Sequence, residues 1–289
     1  MKVRSVPRAD LSRVSGEPWV DPAHRPCVID GTAYVPVKNG FSFDREITAP
    51  PRYRGRGFFM IGDIAIVRGT APAPDDLKKI VALRKPRGVL LVRAMDDITR
   101  VPDCEVLYGT VGEVLHRENG YTYLLDPSKV MFSQGNLPEK RRMASLIRPG
   151  ERVADMFAGI GYFTIPMAGA GADVHAMEIN PVAFSYLQRN LETNKLAGRV
   201  SASPGDCRDL LSGTYDRIVM GHFDAVTMLP DALAHAAPGT VIHLHSLGSV
   251  EVEIRSAVSG AGFSAALDVH KVKKYAPHTW HIVQDIVIQ

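Results

Sequence analysis

The pattern of apolar residues divides the chain into a strand-rich front part and a back part in which strands and helices alternate. In the front part, one helical candidate, APDDLKKIVALRK, has Leu77, Ile80, Val81 and Leu83 spaced for one apolar face. Turn-forming Gly and Pro residues separate the strand candidates. The pattern predicts a small N-terminal unit over 1–48 and a β-rich module over 49–128. The strand candidates are KVRSV, AYVPV, FFMIGDIAIV, GVLLVRA, CEVLYGTV and YTYLL.

The back part, 129–289, has a different rhythm. Apolar runs of strand length recur there, with helical segments between them, which is typical of parallel β-α-β units in a doubly wound sheet. Two further strands are expected to complete that sheet. The sequence therefore predicts an α/β protein with a Rossmann-like domain behind a β-rich region. Its strand candidates are RVADMF, ADVHAME, RVSASPGD, DRIVMG, TVIHLH, AALDVH and WHIVQDIVI.

The segment DMFAGIGYFTIP follows the first strand candidate of the Rossmann-like domain. Gly159 and Gly161 permit a tight turn into a helix whose first N–H groups are free. A dinucleotide loop needs a third glycine where Thr164 stands, and the Gly-Lys-Ser/Thr of a P-loop is absent. Asp155, just before the turn, favours a cationic ligand over a pyrophosphate. A plain tight turn with Asp155 as helix cap remains an alternative.

Acidic residues also end the next two strand candidates. Glu178, in MEINP, is placed to accept the two ribose hydroxyls of an adenosine, as an acid at this position does in dinucleotide-binding folds. Asn180 and Pro181 are suited to cap and begin the following helix. In PGDCRD, we expect Asp206 to accept the adenine amino group and the Cys207 N–H to reach a ring nitrogen.

A fourth strand candidate, DRIVMGHFD, delivers Gly221 and Asp224 to the same edge, where a second substrate would meet the cofactor. Ligands of doubly wound sheets bind at this edge. The sulfonium, ribose and adenine positions together predict that the loop binds S-adenosylmethionine.

Charge adds a partner to this picture. The net charge of +3 is divided between +7 in residues 1–150 and −4 in residues 151–289. A basic front half favours contact with a polyanion, although a solvated basic surface is the plain alternative.

Other features narrow the class of protein. The sequence has no run of about 18 apolar residues, so we expect no membrane span. The N-terminus lacks the apolar segment of a secretory signal. Cys27, Cys104 and Cys207 are far apart in the sequence, odd in number and in no metal-ligand spacing. His243 and His245 lack further ligands at a typical spacing, so we expect no metal. We expect a cytoplasmic monomer in a reducing compartment.

Three segments resemble those of the archaeal wybutosine-synthesis enzymes, relatives of the tRNA guanosine-37 N1-methyltransferases. The resemblance covers nearly the whole chain and is weakest over the first 50 residues. It implies a class I methyltransferase fold and a tRNA substrate modified at position 37. The segments are DMFAGIGYFTIP, HRENGYTYLLDPSKVMFSQGN and KVKKYAPHTWHIVQDIVI.

The resemblance implies one of two activities. One branch methylates N1 of guanosine 37. The other moves the 3-amino-3-carboxypropyl group of S-adenosylmethionine to C7 of a tricyclic (4-demethylwyosine) base in tRNA-Phe and releases methylthioadenosine. Gly221-His222-Phe223 resembles the aminocarboxypropyl branch, and Tyr162 stands where the methyl branch tends to have Pro. The resemblance therefore implies aminocarboxypropyl transfer, with methyl transfer as the alternative.

The resemblance also implies roles for individual residues. Ser133 and Lys140 correspond to cofactor contacts, with Lys140 where the family often has Arg, and Phe157 belongs to the cofactor loop. Glu139 or Asp224 is expected to take up the proton that the base loses, although the family commonly has His at the latter position. A solvated helical face is the alternative for EKRRM.

Basic and aromatic residues in three places are expected to contact RNA, through phosphates or by stacking on a base. The alternative for each place is a solvated loop or helical face. The expected RNA contacts are Arg52, Arg54, Arg56, Arg142, Lys273, Lys274 and Tyr275.

Two less specific functions remain open from the sequence. A methyltransferase for a small molecule would leave the front modules without a use. A tRNA-binding factor with a vestigial cofactor pocket would not need the acids and glycines at the strand ends.

Overall fold

The computed structural model describes residues 1–29, 31–47, 55, 57–95, 99–276 and 278–289. It divides into two compact units, Met1–Gly55 and Arg56–Gln289. The β-rich module and the Rossmann-like domain that the sequence distinguishes both lie in the second unit. The bounds of these modules stay a prediction.

The first unit is built on an antiparallel sheet of strand order β2-β3-β1-β4. Val3, Ala33 and Val35 are fully buried and form its apolar centre. The two strand candidates of this region are observed. The elements are β1 (Lys2–Pro7), α1 (Leu11–Val14), β2 (Cys27–Ile29), β3 (Thr32–Pro36) and β4 (Arg45–Glu46).

The second unit begins with a four-stranded sheet, in strand order, and a separate hairpin. The helix α2 begins with Pro74 at its first turn and ends before Lys85, which has left-handed φ. This helix connects two parallel strands, as a crossover must. The elements are β5 (Phe58–Ile61), β6 (Ile64–Arg68), α2 (Pro74–Arg84), β7 (Gly88–Met95), β8 (Pro102–Gly109), and the hairpin β9 (Val114–Glu118) and β10 (Tyr121–Leu125).

The main sheet has seven strands in the order β13-β12-β11-β14-β15-β17-β16. The first five strands are parallel to one another, and β17 pairs antiparallel with both β15 and β16. Every strand candidate of this region is observed. The elements are α3 (Leu137–Leu146), β11 (Arg152–Asp155), α4 (Thr164–Gly169), β12 (Asp173–Glu178), α5 (Pro181–Thr193), β13 (Val200–Pro204), α6 (Cys207–Leu210), β14 (Arg217–Met220), α7 (Leu229–Leu233), β15 (Val241–Leu247), α8 (Glu251–Gly260), β16 (Ala265–Ala276) and β17 (Thr279–Ile288).

The strand order reverses at β11, whose neighbours are β12 on one side and β14 on the other. The chain runs from β11 outward to β12 and β13, and then returns to place β14 on the other side of β11. A crevice therefore opens beyond the carboxyl ends of β11 and β14. The loop after β11 is the glycine loop that the sequence singles out. The topology therefore places this loop at the position where doubly wound sheets bind ligands.

Two apolar cores cover the faces of the main sheet. One core includes Val153 and Val174 of the sheet together with Tyr123 and Phe132, so the β9–β10 hairpin and the segment after it share a core with the glycine loop. The other core packs α7 and α8 against the opposite face. No helix among the described residues is long and apolar enough to cross a membrane.

Candidate functional site

The glycine loop has the backbone geometry that its sequence predicts. Gly159 and Gly161 have φ of +58° and +103°, in the region that favours glycine. A Cβ at Gly159 would lie 2.5 Å from the Tyr162 ring, and one at Gly161 would lie 2.7 Å from Ile165. The Tyr162 ring therefore packs directly on the loop backbone, and only glycine fits beneath it.

Asp155 lies inside this loop rather than on its surface. Its carboxylate is fully buried, accepts a 2.7 Å hydrogen bond from Thr164 Oγ1 and faces the Phe157 N–H at 3.4 Å. Burial raises the pKa of Asp155 to about 6. This geometry is that of an internal clamp on the loop, and direct contact of Asp155 with a ligand stays a prediction.

Glu178 connects the glycine loop to the start of α5. Its carboxylate accepts hydrogen bonds from the Gly159 N–H (2.7 Å) and the Asn180 N–H (2.8 Å). Asn180 in turn caps α5, and Pro181 occupies the first helical turn, as predicted. Burial raises the pKa of Glu178. A carboxylate has about four lone-pair sites, so Glu178 keeps acceptor capacity for two ribose hydroxyls.

Asp206 lies at the carboxyl end of β13, where it caps α6 through the Arg208 N–H. Its carboxylate also pairs with the Arg208 guanidinium at 2.5 Å, and this hydrogen bond lowers the pKa of Asp206. The sequence did not predict this partner, which competes with an adenine amino group for the carboxylate. The Cys207 thiol is buried 3.9 Å from Met228 Sδ, so the side chain packs in the core.

The fourth strand end brings Gly221, His222 and Asp224 to the crevice. The His222 ring lies 5.5 Å from the Phe157 ring of the glycine loop. Its Nδ1 accepts from the Asp224 N–H at 3.2 Å, while its buried Nε2 has no partner among the described residues. The side chain of Asp224 is 85% exposed, so its carboxylate is open to a substrate.

Glu139 and Arg142 belong to a buried ion pair on α3. The Arg142 guanidinium bonds Glu139 at 2.7 Å and Asp285 of β17 at 2.6 Å. One guanidinium therefore bridges two carboxylates. The contact of Arg142 with RNA and the role of Glu139 as a base stay predictions, and this pairing favours neither of them.

The same network continues through His243. His243 bonds Asp285 at 2.6 Å and Arg217 at 2.6 Å, and Arg217 pairs with Glu151 at 2.9 Å. Burial lowers the pKa of His243. Within the described ranges, no group of three or more His, Cys, Asp or Glu side chains is arranged to hold a metal ion.

Lys140 is not at the surface of the crevice, where a cofactor contact would be expected. Its side chain is 1% exposed, and its ammonium lies 2.7 Å from Glu118 of β9. Three aromatic rings surround the ammonium, with centroids 4.6, 5.2 and 6.0 Å away. Lys140 therefore ties the hairpin to the glycine loop from below, and its direct contact with the cofactor stays a prediction. The rings belong to Phe132, Tyr162 and Tyr123.

Ser133 follows Phe132 directly and meets a residue that the sequence assigned to RNA. The Lys273 ammonium, from β16, lies 2.9 Å from Ser133 Oγ. Lys274 and Tyr275 are exposed, as an RNA contact requires. Arg52, Arg54 and Arg56, the other expected RNA contacts, lie outside the described residues.

These groups fit S-adenosylmethionine at the crevice. Glu178 and Asp206 lie at the carboxyl ends of the neighbouring strands β12 and β13. The turn at Gly159 carries no side chain that would block a sulfonium, and Gly221 borders the same crevice. The structure joins Glu178 to the loop backbone and sets Gly221 beside Phe163, whereas Lys140, Glu139 and Arg142 are engaged in ion pairs.

Comparison with known proteins identifies the family. The model of the TRM5/TYW2 methyltransferase domain matches residues 114–272. A Methanocaldococcus jannaschii protein named tRNA(Phe) (4-demethylwyosine(37)-C(7)) aminocarboxypropyltransferase is 37% identical over 240 residues, which cover 78% of this chain and 95% of that protein. The fold and site define a class I methyltransferase-type protein. The chain belongs to the TRM5/TYW2 family.

Solved structures agree with this assignment. The Pyrococcus horikoshii TYW2 structure in complex with MeSAdo is 31% identical, with a TM-score of 0.71 over 81% of this chain and 91% of that one. The Pyrococcus abyssi Trm5b structure is 26% identical, with a TM-score of 0.73 over 100% of both chains. The predicted family and fold class are confirmed.

Proposed function

We propose that this protein moves the 3-amino-3-carboxypropyl group of S-adenosylmethionine to C7 of 4-demethylwyosine at position 37 of tRNA-Phe. The observation that carries the proposal is the identity of 37% across 95% of a relative with that named activity. The acids at neighbouring strand ends support a nucleoside cofactor independently of that relative. The proposed product is the aminocarboxypropylated tRNA together with methylthioadenosine.

The reaction is a nucleophilic displacement at the γ-carbon of the methionine arm. The C7–Cγ bond forms while the Cγ–S bond breaks, and the sulfur leaves as a neutral thioether with its electron pair. C7 then loses its ring proton to a base, which restores the aromatic ring. A sulfonium has three electrophilic carbons, so the carbon held in line with the nucleophile is the one transferred.

The chain's own groups divide this work by position. Glu178 holds the ribose hydroxyls, and Asp206 with the Cys207 N–H holds adenine. Gly159, Gly161 and Phe157 shape the loop, and Gly221 leaves room for the methionine arm. The base enters from the side of Asp224.

Asp224 is the better placed of the two candidate bases. Its carboxylate is exposed at the crevice, whereas Glu139 is 4% exposed and bonded to Arg142 through both oxygens. Both Glu139 oxygens are occupied by the Arg142 guanidinium, whereas the Asp224 carboxylate is open to solvent. We therefore propose Asp224 as the group that receives the C7 proton, directly or through water.

The tRNA is proposed to lie against the rim formed by Lys274 and Tyr275, with its anticodon loop toward the crevice. A nucleotide of a loop is unstacked at less cost than one in a helix. We propose that the protein acts as a monomer in the cytoplasm, where such tRNA substrates are available.

Separate labels on S-adenosylmethionine test the proposal. The cofactor is labelled in its methyl carbon or in its carboxyl carbon and incubated with tRNA-Phe that carries the tricyclic base. Carboxyl label in the RNA with release of methylthioadenosine is the expected result. No transfer of either label would contradict the proposal and would leave the binding-factor alternative.

A second candidate is methyl transfer to N1 of guanosine 37. One observation favours it: the Trm5b structure matches all of this chain, including the first unit, whereas the TYW2 structure matches 81%. Methyl label in tRNA with an unmodified guanosine 37, and release of S-adenosylhomocysteine, would select this candidate. The higher identity to the aminocarboxypropyltransferase favours the first.

A further inference from the structure

Two buried histidines from neighbouring strands are bonded to each other near the carboxyl end of β15. His245 Nδ1 of β15 lies 2.9 Å from His281 Nε2 of β17. The two residues are 1% and 0% exposed. Their outer ring nitrogens, His245 Nε2 and His281 Nδ1, have no hydrogen-bond partner among the residues that the structure describes. A buried polar atom without a partner is costly, and native proteins contain few of them.

The charged groups around this pair are engaged elsewhere. Arg142 and Asp285 act on His245 through their charges, but they are bonded to each other at 2.6 Å. Lys273 acts on His281 through its charge, but its ammonium is bonded to a serine hydroxyl at 2.9 Å. The two outer nitrogens are therefore left for a group that comes from outside the described chain.

Protonation fixes what the outer nitrogens can do. Burial lowers the pKa of His245 well below its ordinary value, and burial together with the Lys273 charge lowers the pKa of His281 to about 4. Both rings are therefore neutral at neutral pH, and each neutral imidazole carries one N–H. One of these protons lies in the shared hydrogen bond. The other lies on one outer nitrogen, so that nitrogen donates and the opposite one accepts, and a shift of both tautomers exchanges the two roles.

The pair borders the crevice, behind the loop that begins at Gly221. The Phe223 ring of that loop packs edge-on against His281, with ring centres 5.0 Å apart. The Phe163 ring lies 5.2 Å from the His245 ring, and a Cβ at Gly221 would lie 3.4 Å from Phe163. One covering ring therefore comes from the cofactor loop, and the other comes from the loop where the second substrate is expected.

Aromatic rings lead from the exposed rim to the pair. Phe223 is half-buried and also packs edge-on against Tyr275, with ring centres 5.4 Å apart, and Tyr275 is 54% exposed. An unstacked base is recognised by stacking on aromatic side chains and by hydrogen bonds to its polar edge. From the surface inward, Tyr275 and Phe223 supply the aromatic faces and His281 supplies a hydrogen-bonding atom.

We propose that His281, oriented by His245, forms a hydrogen bond through Nδ1 to a polar ring atom of the target base, and that Phe223 turns aside to admit that base. This inference rests on the proposed function, because it assigns a contact to the base of the same reaction. No covalent bond forms at His281, and no proton leaves the base there. Either a carbonyl oxygen or a ring N–H can be bound, because the pair exchanges its donating and accepting ends. His245 is a positioning residue that fixes the ring and the tautomer of His281.

Two substitutions of His281 separate its two nitrogens. The glutamine side chain places its amide group near the position of Nε2, and the asparagine side chain places its amide group near the position of Nδ1. His281→Gln therefore keeps the bond to His245 and removes the proposed base contact, whereas His281→Asn does the reverse. His278→Gln is the control, because it changes an exposed histidine of the same hairpin.

The affinity for two tRNAs measures the contribution of the base. One is tRNA-Phe that carries the tricyclic base, and the other is the same tRNA with an abasic nucleotide at position 37. Methylthioadenosine is present at saturation, so that no group is transferred during the measurement. Thermal unfolding of each variant reports whether it folds.

The expected result depends on the nitrogen that is lost. Loss of one hydrogen bond in His281→Gln should weaken the tricyclic tRNA about 10-fold and change the abasic tRNA less than about threefold. His281→Asn should keep the ratio of the two affinities within about threefold of the natural value, but it should unfold at a lower temperature because its bond to His245 is lost. His278→Gln should leave the ratio unchanged.

Three results would overturn the inference. One is an unchanged ratio of affinities in His281→Gln, and another is an equal loss for both tRNAs, which would report the fold or the RNA backbone instead of the base. The third applies if His281→Gln does not fold, when nitrogen NMR of the natural protein with isotope-labelled histidine replaces it. The His281 Nδ1 signal should shift with the tricyclic tRNA only, and an identical shift with both tRNAs would contradict the contact.

The proposed function fails by a different observation. If the natural protein transferred no carboxyl label to the tricyclic tRNA, the proposed function would be wrong whatever the His281 variants showed. If label is transferred and the ratio of affinities is unchanged in His281→Gln, the proposed function stands and only the role of His281 is lost.

Discussion

The acidic strand ends of the main sheet and the basic cluster that includes Lys140 and Lys273 are built in different ways. On the acidic side, Asp155, Glu178 and Asp206 each end one strand of the main sheet, and each is bonded to backbone or side chains a few residues away or on the adjacent strand. On the basic side, Lys140 and Lys273 come from elements more than 100 residues apart in the sequence. The acidic side is therefore a property of strand order, and the basic side is a property of packing between elements.

This difference separates the residues that can bind a ligand from those that only stabilise the fold. Glu178 keeps acceptor capacity after its internal hydrogen bonds, so it can serve a ligand without being released. Lys140, in contrast, is fully enclosed by Glu118 and aromatic rings, and it serves the fold. Lys273 lies between these cases, since it is half-buried and unpaired with any described carboxylate.

The largest effect is expected on the basic side, from Lys140→Met. This change leaves the Glu118 carboxylate buried without its ion partner, so the free energy of unfolding should fall by about 3–5 kcal/mol. Urea unfolding measures it. Lys78→Met removes a lysine that is 78% exposed and pairs with the exposed Asp75, so it should change the free energy by less than about 0.5 kcal/mol.

Adding Glu118→Met to Lys140→Met sharpens this test. The double variant removes both charges and should recover most of the lost stability. If Lys140→Met alone unfolds no more readily than the control, the ion pair does not hold the hairpin to the loop.

On the acidic side, Glu178→Ala is expected to have a comparably large effect, on cofactor affinity rather than on stability. The change removes the acceptor for the ribose hydroxyls and releases the Gly159 N–H, so S-adenosylmethionine should bind about 100-fold more weakly. Calorimetry compares this variant with Glu192→Ala, which changes an exposed acid near the end of α5. An affinity within threefold of the natural protein would remove Glu178 from the site.

Asp155→Asn tests whether burial of the Asp155 carboxylate lowers the stability of the protein. Because burial raises the pKa of Asp155 above its unfolded value, the folded state binds the proton more tightly than the unfolded state does. Stability should therefore fall as pH rises from about 4 to about 6. The Asn variant should lose that pH dependence and gain on the order of 2 kcal/mol in free energy of unfolding at pH 7.

Unfolding curves at pH 4 and pH 7 check this expectation, since the two proteins should differ mainly at the higher pH. Equal stabilities at both values would mean that Asp155 is not strained by burial. Cofactor affinity of the same variant reports whether the clamp also orders the loop.

The smallest effect is expected from Lys274→Ala at the exposed rim. Loss of one phosphate contact should weaken tRNA binding only a few-fold and reduce the slope of log affinity against log salt by about 1. Filter binding over a range of salt concentrations measures both. An identical slope in Lys274→Ala and in the exposed control Lys195→Ala would argue against an RNA contact at Lys274.

Much of the site could be predicted because its signals are local. The positive φ of Gly159 follows from its place between a strand and a helix, and Asn180 with Pro181 marks the start of α5 by capping chemistry alone. Glu178 is readable because acids at the carboxyl ends of parallel strands share one edge. These inferences need only the order of strands and helices along the chain.

Other features could not be read in this way. Arg142 and Lys140 look like solvated helical residues in EKRRM, yet Asp285 and Glu118 enclose them from distant strands. Asp206 was predicted without Arg208, whose guanidinium occupies its carboxylate. Burial and ion pairing depend on which elements meet, and a charge pattern along one helix does not contain that information.

By itself, the sequence determined the class of fold, the glycine loop and the acids at successive strand ends, because backbone geometry and strand order are encoded by neighbouring residues. Only the tertiary structure decided that Lys140 is enclosed, that Arg142 joins Glu139 to Asp285, and that Lys273 faces Ser133. The physical reason is distance along the chain. A charged side chain acquires its partner, and hence its role, when packing brings remote segments together and excludes water from between them.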